Sequence, residues 1–126
     1  MSVIEFARTI AVYVADQDVS LSFYTEQLGF EVKADVQMGV GGRWVQVTPP
    51  GAQTHLVLYP RAMMPNWAEL RPSVVFKCAD TYQATQELKA KGVKFVMEPT
   101  KMPWGTFASF EDPDGNQFFL ADTPQV

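Results

Sequence analysis

The sequence contains one cysteine and one histidine among its 126 residues. A single cysteine cannot form an intrachain disulfide. The lack of such a disulfide fits a reducing, cytoplasmic setting. A single histidine excludes a metal site with two histidine ligands within one chain. Lysine and arginine form no cluster of more than two residues, and the net charge is −4. We therefore expect neither nucleic acid nor an anionic membrane as a partner.

Long hydrophobic runs are also missing. No apolar segment approaches the roughly 20 residues that a membrane-spanning helix needs. The first residues lack a charged region followed by an apolar run, so we expect no signal peptide. What is present is typical of a globular protein, with 47% hydrophobic and 13% aromatic residues. A chain of this length can form one domain and bury a core without disulfides.

The stretch Asp112–Asn116 has the strongest turn signal in the chain. Pro113 favours the backbone angles at the first corner of a type I turn, and Gly115 can adopt the positive φ that reverses the chain. We predict a β-hairpin here, with strands over Phe107–Glu111 and Asn116–Ala121. These residues therefore serve a turn and not catalysis.

Alternating and helical hydrophobic patterns predict the other elements. Asp18 and Asp80 are the expected helix N-caps, and Gly29 and Gly92 the expected helix ends. The predicted helices cover about Val19–Leu28 and Thr81–Lys91. The predicted strands are Thr9–Val14, Phe30–Asp35, Arg43–Thr48, Thr54–Tyr59, Ser73–Cys78 and Val93–Met97, with a loop over Glu98–Pro103.

The two halves of the chain repeat one another. Ala15-Asp16 recurs as Ala79-Asp80, and Gly29 recurs as Gly92, each about half a chain length later. This period predicts two copies of one βαβββ unit in a single α+β domain, residues 1–126. Module one would span residues 8–60, a connector 61–72 and module two 73–122. We expect two curved mixed sheets around a shared cleft.

This repeat, together with Phe23-Tyr24, Leu28-Gly29-Phe30 and Asp112–Asn116, resembles the vicinal oxygen chelate superfamily. That superfamily includes glyoxalase I, bleomycin-resistance proteins and extradiol dioxygenases. The resemblance extends from about Arg8 to Asp122. It implies paired βαβββ modules with the helices outside and a ligand cleft inside, and it implies a homodimer.

Enzymes of this superfamily hold a divalent metal with His, Glu or Gln side chains on inward-facing strands. The resemblance places those positions at Thr9, Val57, Ser73 and Phe119. Hydroxyls are weak neutral ligands, and hydrocarbon side chains cannot bind a metal. The sequence therefore predicts a member without the usual metal ligands, with no metal and no cofactor.

Strand alternation predicts which side chains line the cleft. Residues such as Val12, Leu58 and Phe118 should pack on the helices, and their neighbours should face the cleft. Trp104 is expected at the rim. The candidate ligand-binding residues are Thr9, Tyr13, Trp44, Gln46, His55, Val57, Ser73, Trp104, Phe107 and Phe119. Ala11, Tyr59, Val75, Lys77, Ser109 and Gln117 share the same predicted face.

This aromatic, mostly uncharged surface favours a metal-independent protein that binds an aromatic or planar small molecule, as bleomycin-resistance proteins do. His55 is the one candidate for acid–base catalysis, although a structural role is an alternative, and catalytic residues are otherwise unassigned. Cys78 is expected to be a buried, inert thiol.

Two other functions stay open. In a metal-dependent lyase or dioxygenase, His55 would be joined by Glu5 or Glu111 of a partner subunit. In a dimeric interaction module, the cleft would hold no ligand. The connector residues Met63, Met64 and Trp67 could form a lid over the cleft or a dimer contact.

Overall fold

The computed structural model describes residues 2–39 and 41–122. The predicted domain span also includes positions 1, 40 and 123–126, which lie outside the described residues. The chain divides into two compact units between Pro72 and Ser73. Each unit contains one mixed four-stranded sheet with its helix, so the predicted α+β class with two βαβββ modules is confirmed.

The first unit forms a sheet with strand order β1-β4-β3-β2. β1 runs parallel to β4, and the other neighbouring strands are antiparallel. Its elements are β1 (Thr9–Val14), α1 (Gln17–Ser22) continued by a π-helical turn (Phe23–Gln27), β2 (Glu31–Gln37), β3 (Arg43–Thr48) and β4 (His55–Pro60). Two 3-10 turns follow at Arg61–Met63 and Trp67–Glu69.

Helix α1 begins two residues earlier than predicted, because Asp16 and not Asp18 is its N-cap. The Asp16 carboxylate accepts hydrogen bonds from the backbone N–H groups of Asp18 and Val19 at 2.9 and 3.1 Å. An N-cap needs extended backbone angles, and Asp16 has them where β1 ends. The Asp18 side chain instead accepts a hydrogen bond from Arg43 at 2.9 Å.

The core of the first unit follows the predicted alternation. Val12, Val14 and Leu58 are completely buried, as expected for the strand face that packs on the helix. Tyr24 is also completely buried, and its ring contacts Phe23 edge-on. Burial of each such side chain contributes about 1.5–3 kcal/mol to folding.

The second unit forms a sheet with strand order β5-β8-β7-β6. β5 runs parallel to β8, and the other neighbours are antiparallel. Its elements are β5 (Val75–Lys77), α2 (Thr81–Ala90), β6 (Lys94–Met102), β7 (Gly105–Glu111) and β8 (Gln117–Ala121). The N-cap of α2 is Asp80, as predicted.

The predicted loop over Glu98–Pro103 is wrong. β6 continues to Met102, which pairs with Gly105 of β7. The register of the two strands shifts between Met97 and Thr100, so Pro99 lies at an irregular point of the ladder. A proline is tolerated in a strand at such a point, because no backbone N–H is needed there.

Four phenylalanines pack together in the second unit, and two of them, Phe110 and Phe118, are buried. The rings of Phe110 and Phe118 are 5.8 Å apart, and Phe76 lies 5.5 Å from Phe118. Phe95 contacts Phe110 at 5.8 Å. Aromatic pairs at these distances add packing energy beyond the burial of their area.

Asp122 joins three elements of this unit. Its carboxylate accepts hydrogen bonds from the backbone N–H groups of Thr106 at 3.0 Å and Thr81 at 3.1 Å. These two bonds, first that of Thr106, lower the pKa of Asp122. The residue after β8 thereby anchors the starts of β7 and α2.

None of the helices formed by the described residues is long and apolar enough to cross a membrane.

The hairpin turn at Asp112 forms as predicted. The Asp112 carboxylate accepts hydrogen bonds from the backbone N–H groups of Asp114 at 3.0 Å and Asn116 at 2.8 Å, and from the Asn116 side-chain amide at 2.9 Å. Gly115 has a φ of +77°. Asp112 is almost completely buried, so these bonds are shielded from water.

Replacement of Asp112 by alanine should lower the free energy of unfolding by about 2–3 kcal/mol, because buried donors lose a charged acceptor. The change is measured by urea denaturation of the variant and the original protein. Pro113→Ala, at the exposed neighbouring position, is the control and should cost less than about 1 kcal/mol. Equal losses for the two variants would contradict this account of the turn.

Candidate functional site

A cavity of about 200 Å³ lies on the face of the first sheet that strand alternation predicts to be inward. The pairing of β1 with β4 sets Thr9 opposite His55, Ala11 opposite Val57, and Tyr13 opposite Tyr59. Side chains of paired residues point to the same side of a sheet. The cavity is lined by Thr9, Ala11, Tyr13, Trp44, Val57, Tyr59 and Met64.

Three aromatic rings form much of the cavity wall. Tyr59 contacts Tyr13 edge-to-face at 6.0 Å between ring centroids, and it contacts Trp44 in the same manner at 6.3 Å. These contacts restrict the orientation of each ring before any ligand binds. None of the seven lining residues carries a formal charge at neutral pH. Such a wall can accept a neutral ring by stacking and apolar contact.

A chain of hydrogen bonds runs beside the cavity. The indole N–H of Trp44 donates to Oε1 of Gln46 at 2.7 Å. The amide nitrogen of Gln46 lies 3.0 Å from Nδ1 of His55. The structure therefore places Trp44 at the cavity and joins Gln46 and His55 to it through polar contacts.

Gln17 holds together the strands that carry the site. Its Nε2 donates to the carbonyls of Arg43 at 2.6 Å and Leu58 at 2.7 Å, and its Oε1 accepts from the Arg43 N–H at 3.0 Å. At Gly42, which has φ +153°, a Cβ would lie 2.6 Å from Pro60 Cγ. The close approach of β3 and β4 at this end therefore requires glycine.

Arg43, whose backbone is bonded to Gln17, also forms two ion pairs with its side chain. Its guanidinium donates to Asp35 at 2.8 Å and to Asp18 at 2.9 Å. The hydrogen bond to Asp35, followed by that to Asp18, raises the pKa of Arg43. These partly exposed ion pairs link β3 with β2 and α1 but stand apart from the cavity wall.

The connector contributes one side chain to the cavity, Met64. Its sequence gives no periodic pattern from which this position could be predicted. Further along the connector, the Trp67 ring lies 4.5 Å from the guanidinium of Arg61 and 5.4 Å from that of Arg71. Cation–π contacts at these distances restrain the segment. Whether the connector acts as a lid or a dimer contact stays a prediction.

The candidate residues of the second unit lie on its own strands and turns. Ser73 is exposed before β5, and Trp104 is 61% exposed in the turn between β6 and β7. Phe107 and Phe119 are half-buried on β7 and β8, with Phe119 paired to Val75 and Ser109. The shared cleft that would join these residues to the first unit stays a prediction.

The positions that the resemblance assigns to metal ligands carry unsuitable side chains. Thr9 and Val57 line the cavity with a hydroxyl and a hydrocarbon, and Ser73 and Phe119 offer no better donors. Within residues 2–39 and 41–122, no group of three His, Cys, Asp or Glu side chains could hold a metal ion. The donor set does not fit a divalent metal, which requires several nitrogen, carboxylate or thiolate ligands.

The two other reactive candidates have structural partners. Cys78 is half-buried with its sulfur 3.6 Å from the Thr81 hydroxyl, and burial raises the pKa of its thiol. A raised pKa disfavours the nucleophilic thiolate. Glu111, the carboxylate considered as a partner for His55, forms an ion pair with Lys94 at 2.9 Å.

Comparison with known families identifies the fold. Residues 7–120 match the model of the Glyoxalase/Bleomycin resistance protein/Dioxygenase superfamily. The chain belongs to this superfamily. The resemblance inferred from the repeat and the turn motifs is thereby confirmed.

Two similar proteins match nearly the whole chain. The uncharacterized protein YetH of Bacillus subtilis is 46% identical over 114 residues, which span 90% of this chain and 95% of YetH. A superfamily member from Sphaerobacter thermophilus has a crystal structure with a TM-score of 0.86 and 35% identity, and the match covers 94% of this chain and 98% of that one.

A third relative carries functional information of its own. TnmS3, described as an antibiotic binding protein from Streptomyces sp. CB03234, matches with a TM-score of 0.83 and 35% identity. The match covers 98% of this chain and 100% of TnmS3.

Replacement of Gln17 by alanine should lower the free energy of unfolding by about 1–3 kcal/mol, because three backbone hydrogen bonds to the ends of β3 and β4 are lost. Thermal or urea denaturation measures this change. Gln83→Ala, at an exposed position of α2, is the matched control and should remain within about 0.5 kcal/mol of the original protein. A Gln17→Ala variant as stable as the control would show that the three hydrogen bonds of Gln17 contribute nothing to the free energy of unfolding.

Proposed function

We propose that this protein binds a neutral aromatic or planar organic molecule, without a metal, in the cavity of its first sheet. The observation that carries the proposal is the composition of the cavity wall. Three of the seven lining residues are aromatic, and none is charged. Ligand sites of this kind bind by apolar and stacking contacts, and a few polar groups orient the ligand.

The volume limits what the first unit can enclose. A cavity of about 200 Å³ is smaller than the 300–1,000 Å³ or so that is usual for drug-sized ligands. It therefore accommodates one small ring system, or one end of a larger molecule. The ligand-binding residues expected in the second unit, Ser73, Trp104, Phe107 and Phe119, are proposed as further ligand contacts in the second case.

Two further observations support the proposal, the first for the absence of a metal and the second for the binding of a small molecule. The resemblance places the metal positions of related enzymes at Thr9, Val57, Ser73 and Phe119, none of which is a competent ligand. TnmS3, which is similar over almost the full length of both chains, is described as an antibiotic binding protein. Sequestration or carriage of a small molecule needs a shaped apolar site and no reactive group.

The proposal includes the setting expected from the sequence. We propose that the protein is a cytoplasmic homodimer. The cytoplasmic location is proposed because the lone Cys78 suits a reducing compartment. The dimer comes from the resemblance to the superfamily. Neither property is needed for the binding site of the first unit.

Naphthol serves as a probe, because its fused rings and single polar group match the size and chemistry of the cavity. We expect it to raise the melting temperature and to bind in isothermal titration calorimetry. Binding should persist after dialysis against EDTA. Loss of binding on chelation would contradict metal independence, and no binding at all would favour a ligand-free interaction module.

Tyr59→Leu should weaken naphthol binding roughly tenfold, because this ring contacts both other aromatic residues of the wall. Tyr82→Leu is the matched control, since Tyr82 is half exposed on α2, and its affinity should be unchanged. Circular dichroism checks that both variants are folded. Equal affinities for a folded Tyr59→Leu variant and the control would place the ligand elsewhere.

A further inference from the structure

The proton position on the single histidine ring is determined by its neighbours. Nδ1 of His55 lies 3.0 Å from the side-chain amide of Gln46. A neutral imidazole has one protonated and one unprotonated nitrogen, so the identity of the facing amide atom decides which nitrogen carries the proton.

Trp44 fixes the orientation of that amide. An indole N–H can only donate, so the amide atom that it contacts at 2.7 Å must be the oxygen of Gln46. The amide nitrogen of Gln46 therefore faces His55 and donates to Nδ1. The neutral His55 ring must then carry its proton on Nε2.

Nε2 of His55 is available to a ligand. It has no hydrogen-bond partner among residues 2–39 and 41–122. In this part of the chain, Thr85 Oγ1 is the one side-chain nitrogen or oxygen atom that is both buried and without a partner. Nε2 of His55 also has no partner, so it must be accessible to solvent. His55 is half-buried, so a hydrogen bond made there is only partly exposed to water.

His55 is not one of the residues that line the cavity, but it lies next to two of them in the sheet. Its strand partner Thr9 lines the cavity, as does Val57, which lies two residues along β4 on the same face. The hydroxyls of Thr9 and Tyr59 can rotate and so can either donate or accept. His55 differs from them, because its neighbours hold it as a donor.

We propose that His55 is a specificity-determining residue, which selects neutral aromatic ligands that carry an oxygen acceptor such as a ketone or quinone carbonyl. Gln46 and Trp44 act on the ligand through His55 and are positioning residues for this bond. The inference rests on the proposed function for the site of binding. The proton position on the ring can be tested without any ligand.

The first experiment is nitrogen-15 NMR of the His55 ring, whose signals are unambiguous because the chain has one histidine. In the neutral form of the ring, we expect the proton on Nε2. Gln46→Glu still accepts from Trp44 but presents an acceptor to His55, so the proton should move to Nδ1. Gln117→Glu changes an amide of the second unit that donates to Ser109, and it should leave the ring unchanged.

The second experiment compares two probes of similar shape, methyl naphthyl ketone and isopropylnaphthalene. The original protein should bind the ketone roughly three- to tenfold more tightly, as expected for one hydrogen bond. His55→Leu should abolish this preference. His55→Gln, which can accept from Gln46 and donate to a ligand, should retain it.

The outcomes separate this inference from the proposed function. Equal affinity for both probes in the original protein overturns the role of His55 while leaving aromatic binding intact. A proton on Nδ1 in the original protein overturns the assigned hydrogen-bond chain. A preference that survives in His55→Leu assigns the donor to another group and also overturns the inference, whereas binding of neither probe overturns both proposals.

Discussion

The parallel pairing of β1 with β4 determines what the first unit can bind. This register aligns Thr9 with His55, Ala11 with Val57, and Tyr13 with Tyr59 on one face of the sheet. The opposite face buries Val12, Val14 and Leu58 in the core. Because side chains alternate along a strand, a shift by one residue would exchange the two faces. The core and the cavity are thus two consequences of the same hydrogen-bonded ladder.

The proposed absence of a metal depends on which side chains this register presents. At the inward positions of β1 and β4 the ladder presents Thr9 and Val57, which form a wall and not a coordination sphere. Beside this wall, Trp44, Gln46 and His55 form a chain of hydrogen bonds. The proposed binding of a neutral ligand by a fold that elsewhere serves metal chemistry is consistent with the rule that function depends on the site and not on the fold.

Much of the fold and of the cavity face could be predicted from the sequence, because the alternation of side chains is a property of each strand alone. It placed Thr9, Tyr13 and Val57 on the cavity face, and the turn chemistry of Asp112 and Gly115 predicted the hairpin. Features that depend on contacts between distant segments could not be predicted. The sequence left the connector residues open between a lid and a dimer contact, and it gave no reason to choose Met64 as the one that lines the cavity. Gln17 bonds to strands far along the chain. Asp16 was missed as a cap because Asp18 is an equally suitable residue type.

The account depends on the claim that an aromatic ligand occupies the cavity beside Trp44. Proton–nitrogen NMR of the indole groups tests this directly. The chain has three tryptophans, so only three indole N–H groups have to be distinguished. On saturation with naphthol, the indole N–H signal of Trp44 should shift, and that of Trp67, which lies between two arginines in the connector, should not. A Trp44 signal that stays in place while naphthol is bound would contradict the account.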